Sequence, residues 1–105
     1  METVLLYATC ANEAEARAIG RTLVQERLVA CVNILPTIQS LYWWNDEVQE
    51  DTETAFFAKA TRENVDRIVT RIKEIHSYDC PAIITTNIEN GNEGFLKWIT
   101  DECRK

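Results

Sequence analysis

His76 is the only histidine in the chain, and Cys80 follows it by four residues in the stretch His76-Ser77-Tyr78-Asp79-Cys80-Pro81. Imidazole nitrogen and thiolate sulfur are the ligand pair that suits copper or zinc. Two ligands do not make a site, so a third has to come from another segment or another subunit, with Cys10, Cys31 and the carboxylates as candidates. The structural alternative is that His76 simply ends a helix, where the dipole favours an imidazole. The four cysteines stand at positions 10, 31, 80 and 103 and none forms a C-x-x-C pair, which excludes a zinc ribbon and a thioredoxin motif. Free thiols packed as small apolar groups in a reducing compartment are the competing reading for each of them.

Lys59 lies in the apolar run TAFFAKA, where a charge is costly unless paired. It could hold an anionic ligand or form a salt bridge across a subunit boundary. Tyr42, Trp43 and Trp44 follow one another at the end of a strand-like segment, and their alternating directions keep all three from entering one small core. An interface or a ligand cleft would use them. Glu47, Glu50, Asp51 and Glu53 read as the solvated face of a hairpin. The lone histidine has no evident serine or cysteine nucleophile beside it in sequence, so an enzyme is not expected.

Composition narrows the remaining classes. Seventeen acidic against eleven basic residues give a formal charge of −6, the wrong sign for affinity by phosphate neutralisation, so nucleic acid is not an expected partner. An RNA-recognition domain shares the strand order deduced below, but Phe56-Phe57 lack the basic, glycine-bearing flanks of its stacking strand. With 105 residues, 46% of them hydrophobic, the chain fits one folded domain over positions 1–105. No run approaches the ~18 apolar residues of a membrane span, and the start METVLLYATC has no basic leader, so a cytoplasmic location is expected.

The elements that must position these residues follow from periodicity. Thr3 to Thr9 is a short apolar run of β-formers, a buried strand. Asn12 with Glu15 is an N-cap signature, and Ala16, Ile19, Leu23 and Val24 continue at helical spacing to about Arg27. Ala30 to Trp44 reads as a strand with Pro36 in its middle, which places it at a sheet edge with a bend. Asn45 and Asp46 make a turn into a third strand ending at Ala60. Thr61 is read as the cap of a second helix whose Val65, Ile68, Val69, Ile72 and Ile75 form one stripe. AIITTNI gives a fourth strand, and Gly91-Asn92 opens a terminal helix with Phe95, Leu96 and Ile99 on its apolar face.

The order β-α-β-β-α-β plus a helix, with a 52-residue shift that lays Ala8-Thr9 on Ala60-Thr61, points to an α+β fold of the ferredoxin-like, split βαβ type. Its first and third strands are central and apolar on both faces. Two helices cover one face, so the other requires a partner, and an oligomer is expected.

With these segments in view, the chain resembles the CutA family, the divalent-cation tolerance proteins, along nearly its whole length. The residues that carry the resemblance are Thr3 to Thr9, ERLVACVNILP from Glu26 to Pro36, SLYWW from Ser40, Glu53, Lys59, His76-x-Tyr78-x-x-Pro81, and Gly91-Asn92-x-x-Phe95-Leu96-x-Trp98. The resemblance implies a ferredoxin-like subunit in a tight homotrimer, related in architecture to PII signalling proteins, with clefts between subunits and a link to tolerance of divalent metals, copper especially. Some members carry a thiol where this chain has Ala8 and a second histidine where it has Ile75; Ser77, Asp46 and Ala82 replace a usual proline, a turn glycine and a common glutamate. The expectation is a trimer with copper or another divalent metal at His76, Cys80 and Cys10. The alternative is a PII-like sensor of a small anion, using Lys59, Tyr42, Trp44 and Tyr78.

Overall fold

In the strand β1 (Thr3–Cys10), Val4, Leu6, Ala8 and Cys10 point to one side and are fully buried. The computed structural model describes residues 2–103, and in it β1 is followed by α1 (Glu13–Gln25), β2 (Cys31–Trp44), β3 (Glu47–Thr61), a 3-10 turn (Arg62–Asn64), α2 (Val65–Ile75), β4 (Ile83–Ile88) and α3 (Glu93–Glu102). The four strands form one antiparallel sheet in the order β2-β3-β1-β4. The central places fall to β3 and β1, as the apolar alternation predicts. Shifting the sequence by 52 residues carries the first residue of α1 onto that of α2 and the first of β2 onto that of β4.

Local chemistry explains the boundaries. Asn12 is extended and its side chain accepts from the Glu15 amide (2.8 Å), while Glu15 Oε1 accepts from the Ala11 amide (2.9 Å). The Asn12 side chain satisfies an orphan donor of the first turn, and the Glu15 side chain reaches back to the amide of the residue before the cap, a variant of the capping box. At its end α1 closes with a 6→1 bond from the Leu28 amide to the Leu23 carbonyl and a 5→2 bond from Arg27 to Val24, with Arg27 left-handed at φ 60°. The β2–β3 hairpin turns through Asn45 and Asp46, both with positive φ (52° and 62°), as a two-residue turn of the primed type requires.

Pro36 does what its missing N–H dictates. The register slips by one residue between Leu35 and Ile38, a bulge on an edge strand, and Thr54 Oγ1 donates to the Pro36 carbonyl at 2.6 Å.

Thr61 does not cap α2. It ends β3, the 3-10 turn intervenes, and the helix begins only at Val65; the Thr61 side chain makes no capping bond, and among the described residues its buried hydroxyl has no hydrogen-bond partner.

Helices α1 and α2 cover one face of the sheet. Ala16, Ile19 and Leu23 meet Ile68 and Ile72 over Val4, Leu6, Phe56 and Ala58. The other face carries Leu5, Tyr7, Phe57 and Lys59, with Tyr7 and Phe57 rings 5.3 Å apart. Sequence periodicity left this face wholly uncovered; α3 in fact lies against β1 and β3. Ile99 is fully buried outside the cluster made by α1 and α2, and Thr3 and Thr61 at that end are buried too. Farther along, Leu35 and Ile84 stay open, Ile84 with 65% of its surface accessible. Phe95, expected in the core stripe of α3, instead stacks on Trp98 at the surface, 5.4 Å between rings.

Candidate functional site

The end of β1 and the start of α1 meet the end of α2 at one corner, because the Asn12 cap turns the chain back within two residues of Cys10. There Cys10, Glu15 and His76 bring a thiol, a carboxylate and an imidazole within 4.8 Å of one another. Cys10 sits there as the last inward residue of β1, Glu15 through its role in the cap, and His76 as the residue that ends α2. None of the three elements holds two of the three groups.

Hydrogen bonds define the state of each group. The Tyr78 amide donates to His76 Nδ1 (3.0 Å), so that nitrogen presents its lone pair, and Nε2–H donates to the Thr9 carbonyl (2.8 Å). The ring is thereby fixed as the neutral Nε2–H tautomer, with its side chain fully buried and Nδ1 3.8 Å from Glu15 Oε2. Burial works against the Glu15 carboxylate, but the Ala11 amide on Oε1 and the Ser77 amide on Oε2 (2.6 Å) hold its carboxyl below the usual range. Burial, then the charges of Glu15 and Glu53, push the Cys10 thiol up to about 12. Beside them the Tyr78 ring lies 4.8 Å from the imidazole and its hydroxyl donates to Glu53 at 2.7 Å. Burial and that carboxylate raise the Tyr78 phenol well above its ordinary value.

Of the residues singled out in the sequence, the fold joins His76, Cys10 and Tyr78. Cys80 is exposed and not part of the group. Lys59 lies on the other face of the sheet, opposite Leu5 and Cys31, and its ammonium donates to Asn33 Oδ1. Tyr42 and Trp44 are near the hairpin tip, where Tyr42 donates to Asp51. Six residues of β3 separate Lys59 from Glu53, and six more separate Glu53 from Glu47, the register partner of Trp44. At ~3.3 Å per residue each interval is about 20 Å of strand. Lys59, Tyr78 and Trp44 therefore form no common site within one chain. Glu15, which completes the group, is named in the sequence only as part of a helix cap, although carboxylates as a class are candidates for a third ligand there; the sign available was its place one short turn after Cys10.

A family model described as CutA1 divalent ion tolerance protein matches residues 4–102. The chain belongs to the CutA family. Among curated CutA relatives, the divalent-cation tolerance protein of Thermus thermophilus is 41% identical over 101 residues, covering 96% of this chain and 97% of that one. The CutA homologue of Danio rerio is 41% identical over 97 residues, 92% of this chain and 65% of the relative. The chain thus spans somewhat under two thirds of the longer vertebrate and plant CutA relatives, 58% of the chloroplastic rice protein among them. The crystal structure of CutA1 from Oryza sativa superimposes with a TM-score of 0.97 at 32% identity, over 100% of this chain and 96% of that one. The α+β fold, a four-stranded antiparallel sheet with three α-helices, is that of the solved CutA1 structures. Among the described residues no helix is long and apolar enough to cross a membrane.

Proposed function

We propose that this CutA protein binds copper or another thiophilic divalent cation at the Cys10–Glu15–His76 corner, as a cytoplasmic homotrimer of ferredoxin-like subunits. The convergence of three different ligating groups within 4.8 Å carries the reading. The donor set fits the metal: sulfur and imidazole select copper or zinc, and a carboxylate completes a mixed site. A bound cation would supply the positive charge that makes ionisation of the buried thiol favourable. The chain's own part is positional. Thr9 accepts the Nε2–H and so turns Nδ1 toward Glu15, the second-shell arrangement common behind a ligating histidine. Two backbone amides fix the Glu15 oxygens, one each. The Tyr78 amide occupies Nδ1, so coordination requires that bond to be released, and Cys10 must give up its proton. Both requirements make binding conditional, and the second weakens it as pH falls.

The trimer rests on the uncovered apolar surface. Leu35 and Ile84 on the sheet, with Leu41, Trp43, Trp44 and Val48 on the hairpin, are exposed. Burying six such side chains at ~1.5–3 kcal/mol each supplies roughly 9–18 kcal/mol per chain before association entropy.

Copper and zinc titrations by calorimetry, on wild type and on Cys10→Ala and His76→Ala proteins shown by native mass spectrometry to have the wild-type mass, test the metal reading. The expected result is one ion per chain, lost in both variants, with about one proton released per ion. Unchanged isotherms in the variants overturn it. A native mass of one chain overturns the trimer.

A second reading, a PII-like sensor of a small organic anion, is favoured by Lys59. Its ammonium has a neutral amide but, among the described residues, no carboxylate within ion-pair distance, and the Tyr7–Phe57 pair stands on the same face. A thermal-shift screen of nucleotides and di- and tricarboxylates should give a stabilising ligand whose effect disappears in Lys59→Ala.

A further inference from the structure

The chain contains seven asparagines, and only Asn90 is followed by a glycine. Asn90 and Gly91 lie on the segment 89–92, which joins β4 to α3 without regular structure and is exposed at every residue. Among the described residues neither the Asn90 side chain nor the Gly91 amide has a hydrogen-bond partner. The other asparagines are held, or are followed by a bulkier residue. Asn12 and Asn92 accept from amides of the helices they cap, Asn33 accepts from Lys59, and Asn64 donates to the Leu28 carbonyl. Asn45 precedes Asp46 in the hairpin turn, and Asn87 sits in the ladder opposite Val4 with Ile88 after it.

An exposed carboxamide beside an unhindered amide nitrogen has a chemistry of its own, the one that makes asparagine thermolabile. Glycine has no Cβ to block the approach, and a loop outside any helix or ladder is free to turn its backbone toward the side chain. Hydroxide takes the Gly91 N–H proton, the nitrogen bonds to Asn90 Cγ, and the side-chain –NH2 leaves as ammonia with a proton from water. Water then opens the resulting succinimide at either carbonyl, giving aspartate or isoaspartate. Nothing is oxidised or reduced.

We infer that Asn90-Gly91 is a self-modification site, at which the folded protein converts a side-chain amide into a carboxylate at the entrance to α3. The formal charge of the chain then passes from −6 to −7. The fold accommodates the product. Its carboxylate stands two residues before the cap Asn92, at the helix end whose dipole favours an anion. The bonds that fix α3, from the Gly94 and Phe95 amides to Asn92 Oδ1 and from Arg27 to Glu102, involve neither residue. The segment is also clear of the apolar surface assigned to the subunit contact: Ile84, on the same strand, lies four residues and about 13 Å from Ile88, where β4 ends toward this loop.

The test holds the full-length protein in its native assembly at 37 °C and at pH 7, 8 and 9, and follows it by peptide mapping and mass spectrometry. The expected result is a gain of about 1 Da confined to Asn90, resolved into aspartyl and isoaspartyl forms, and faster at each higher pH because the attacking nitrogen must lose its proton. Gly91→Ala should slow the gain at least tenfold. Alanine fits there, since Gly91 has no positive φ and a Cβ would stand 3.4 Å from Leu96 Cδ2, an ordinary contact. Asn90→Asp, which carries the product charge from the start, should melt within a degree of wild type. The inference is overturned by an Asn90 that stays unchanged in the folded protein while a synthetic peptide of residues 86–94 reacts, by an equal rate in Gly91→Ala, or by equal gains at the other asparagines.

Discussion

Alkaline titration of the buried Cys10 thiol gives a stability change whose size follows from its surroundings. In the unfolded chain a cysteine ionises near 9, whereas in the folded protein burial, followed by the charges of Glu15 and Glu53, holds Cys10 protonated up to about 12. The folded value is raised, so the associated stability is complete below pH 9 and is lost as pH climbs from 9 toward 12, because the unfolded state releases a proton that the native state keeps. Between pH 8 and pH 11 the loss is about two pKa units at 1.36 kcal/mol each, roughly 3 kcal/mol. The perturbation that isolates it is Cys10→Ala. Urea denaturation at fixed protein concentration, repeated from pH 8 to pH 11, should show wild type losing about 3 kcal/mol more than the variant over that range, although the variant starts lower for want of the buried sulfur. Cys103 titrates in the same window in both proteins and cancels in the difference; Tyr78 cancels in its main part, since burial and Glu53 raise its phenol in both proteins and the Cys10 charge is the last of its causes. Parallel pH profiles for the two proteins would refute the placement of an inert thiol at this corner.

Three further outcomes are expected. His76→Ala leaves the Thr9 carbonyl and the Tyr78 amide without their ring partners in a buried corner and should cost roughly 2–5 kcal/mol in urea denaturation; a loss below about 0.5 kcal/mol contradicts the hydrogen-bond assignment. Thr61→Val replaces a buried hydroxyl, unpartnered among the described residues, by an isosteric methyl and should stabilise by about 1 kcal/mol, read as a rise in denaturation midpoint without change of slope. Asp46→Gly, at φ 62° in the hairpin turn, should stabilise by about 0.5–1 kcal/mol, and a decrease would show that the Asp46 side chain holds the turn in a way its backbone angle does not reveal.

How far the residues alone disclosed this molecule depends on the range of the interaction that fixes each feature. Strand β1, the α2 stripe, the Pro36 bend and the Asn45-Asp46 turn are set by neighbours a few positions away, and they stand where periodicity and turn chemistry place them. Thr61 misled because a cap-type residue before an apolar stripe has the same local signature whether the helix starts at once or after a 3-10 turn. The candidate site was half legible. His76 and Cys10 were named from residue type, but Cys80, nearer to His76 in sequence, is exposed and apart from the group, while Glu15 is sixty-one positions from His76 and touches it only because α1 and α2 pack side by side. Lys59 and Trp44 were linked to one cleft between subunits; about 40 Å of strand separates them within a chain, so such a cleft would have to draw them from two different chains.

The bonds around His76 also govern how β4 can leave the sheet. Among the described residues β4 is an edge strand that pairs only with β1, most of its residues are exposed, and residues 76–82 join it to α2. Its tether is pinned at one end by the His76, Ser77 and Tyr78 contacts with Thr9, Glu15 and Glu53. The opening free energy of this unit, which amide exchange and limited proteolysis would read, therefore includes those polar bonds at the corner beside the ladder to β1 and the packing of Ile83 on the core. Detachment bares the outer edge of β1, a template on which the β4 of a second molecule can lie in the same register. The corner thus acts as a latch against strand exchange between copies, and weakening it turns a local opening into a route to swapped assemblies.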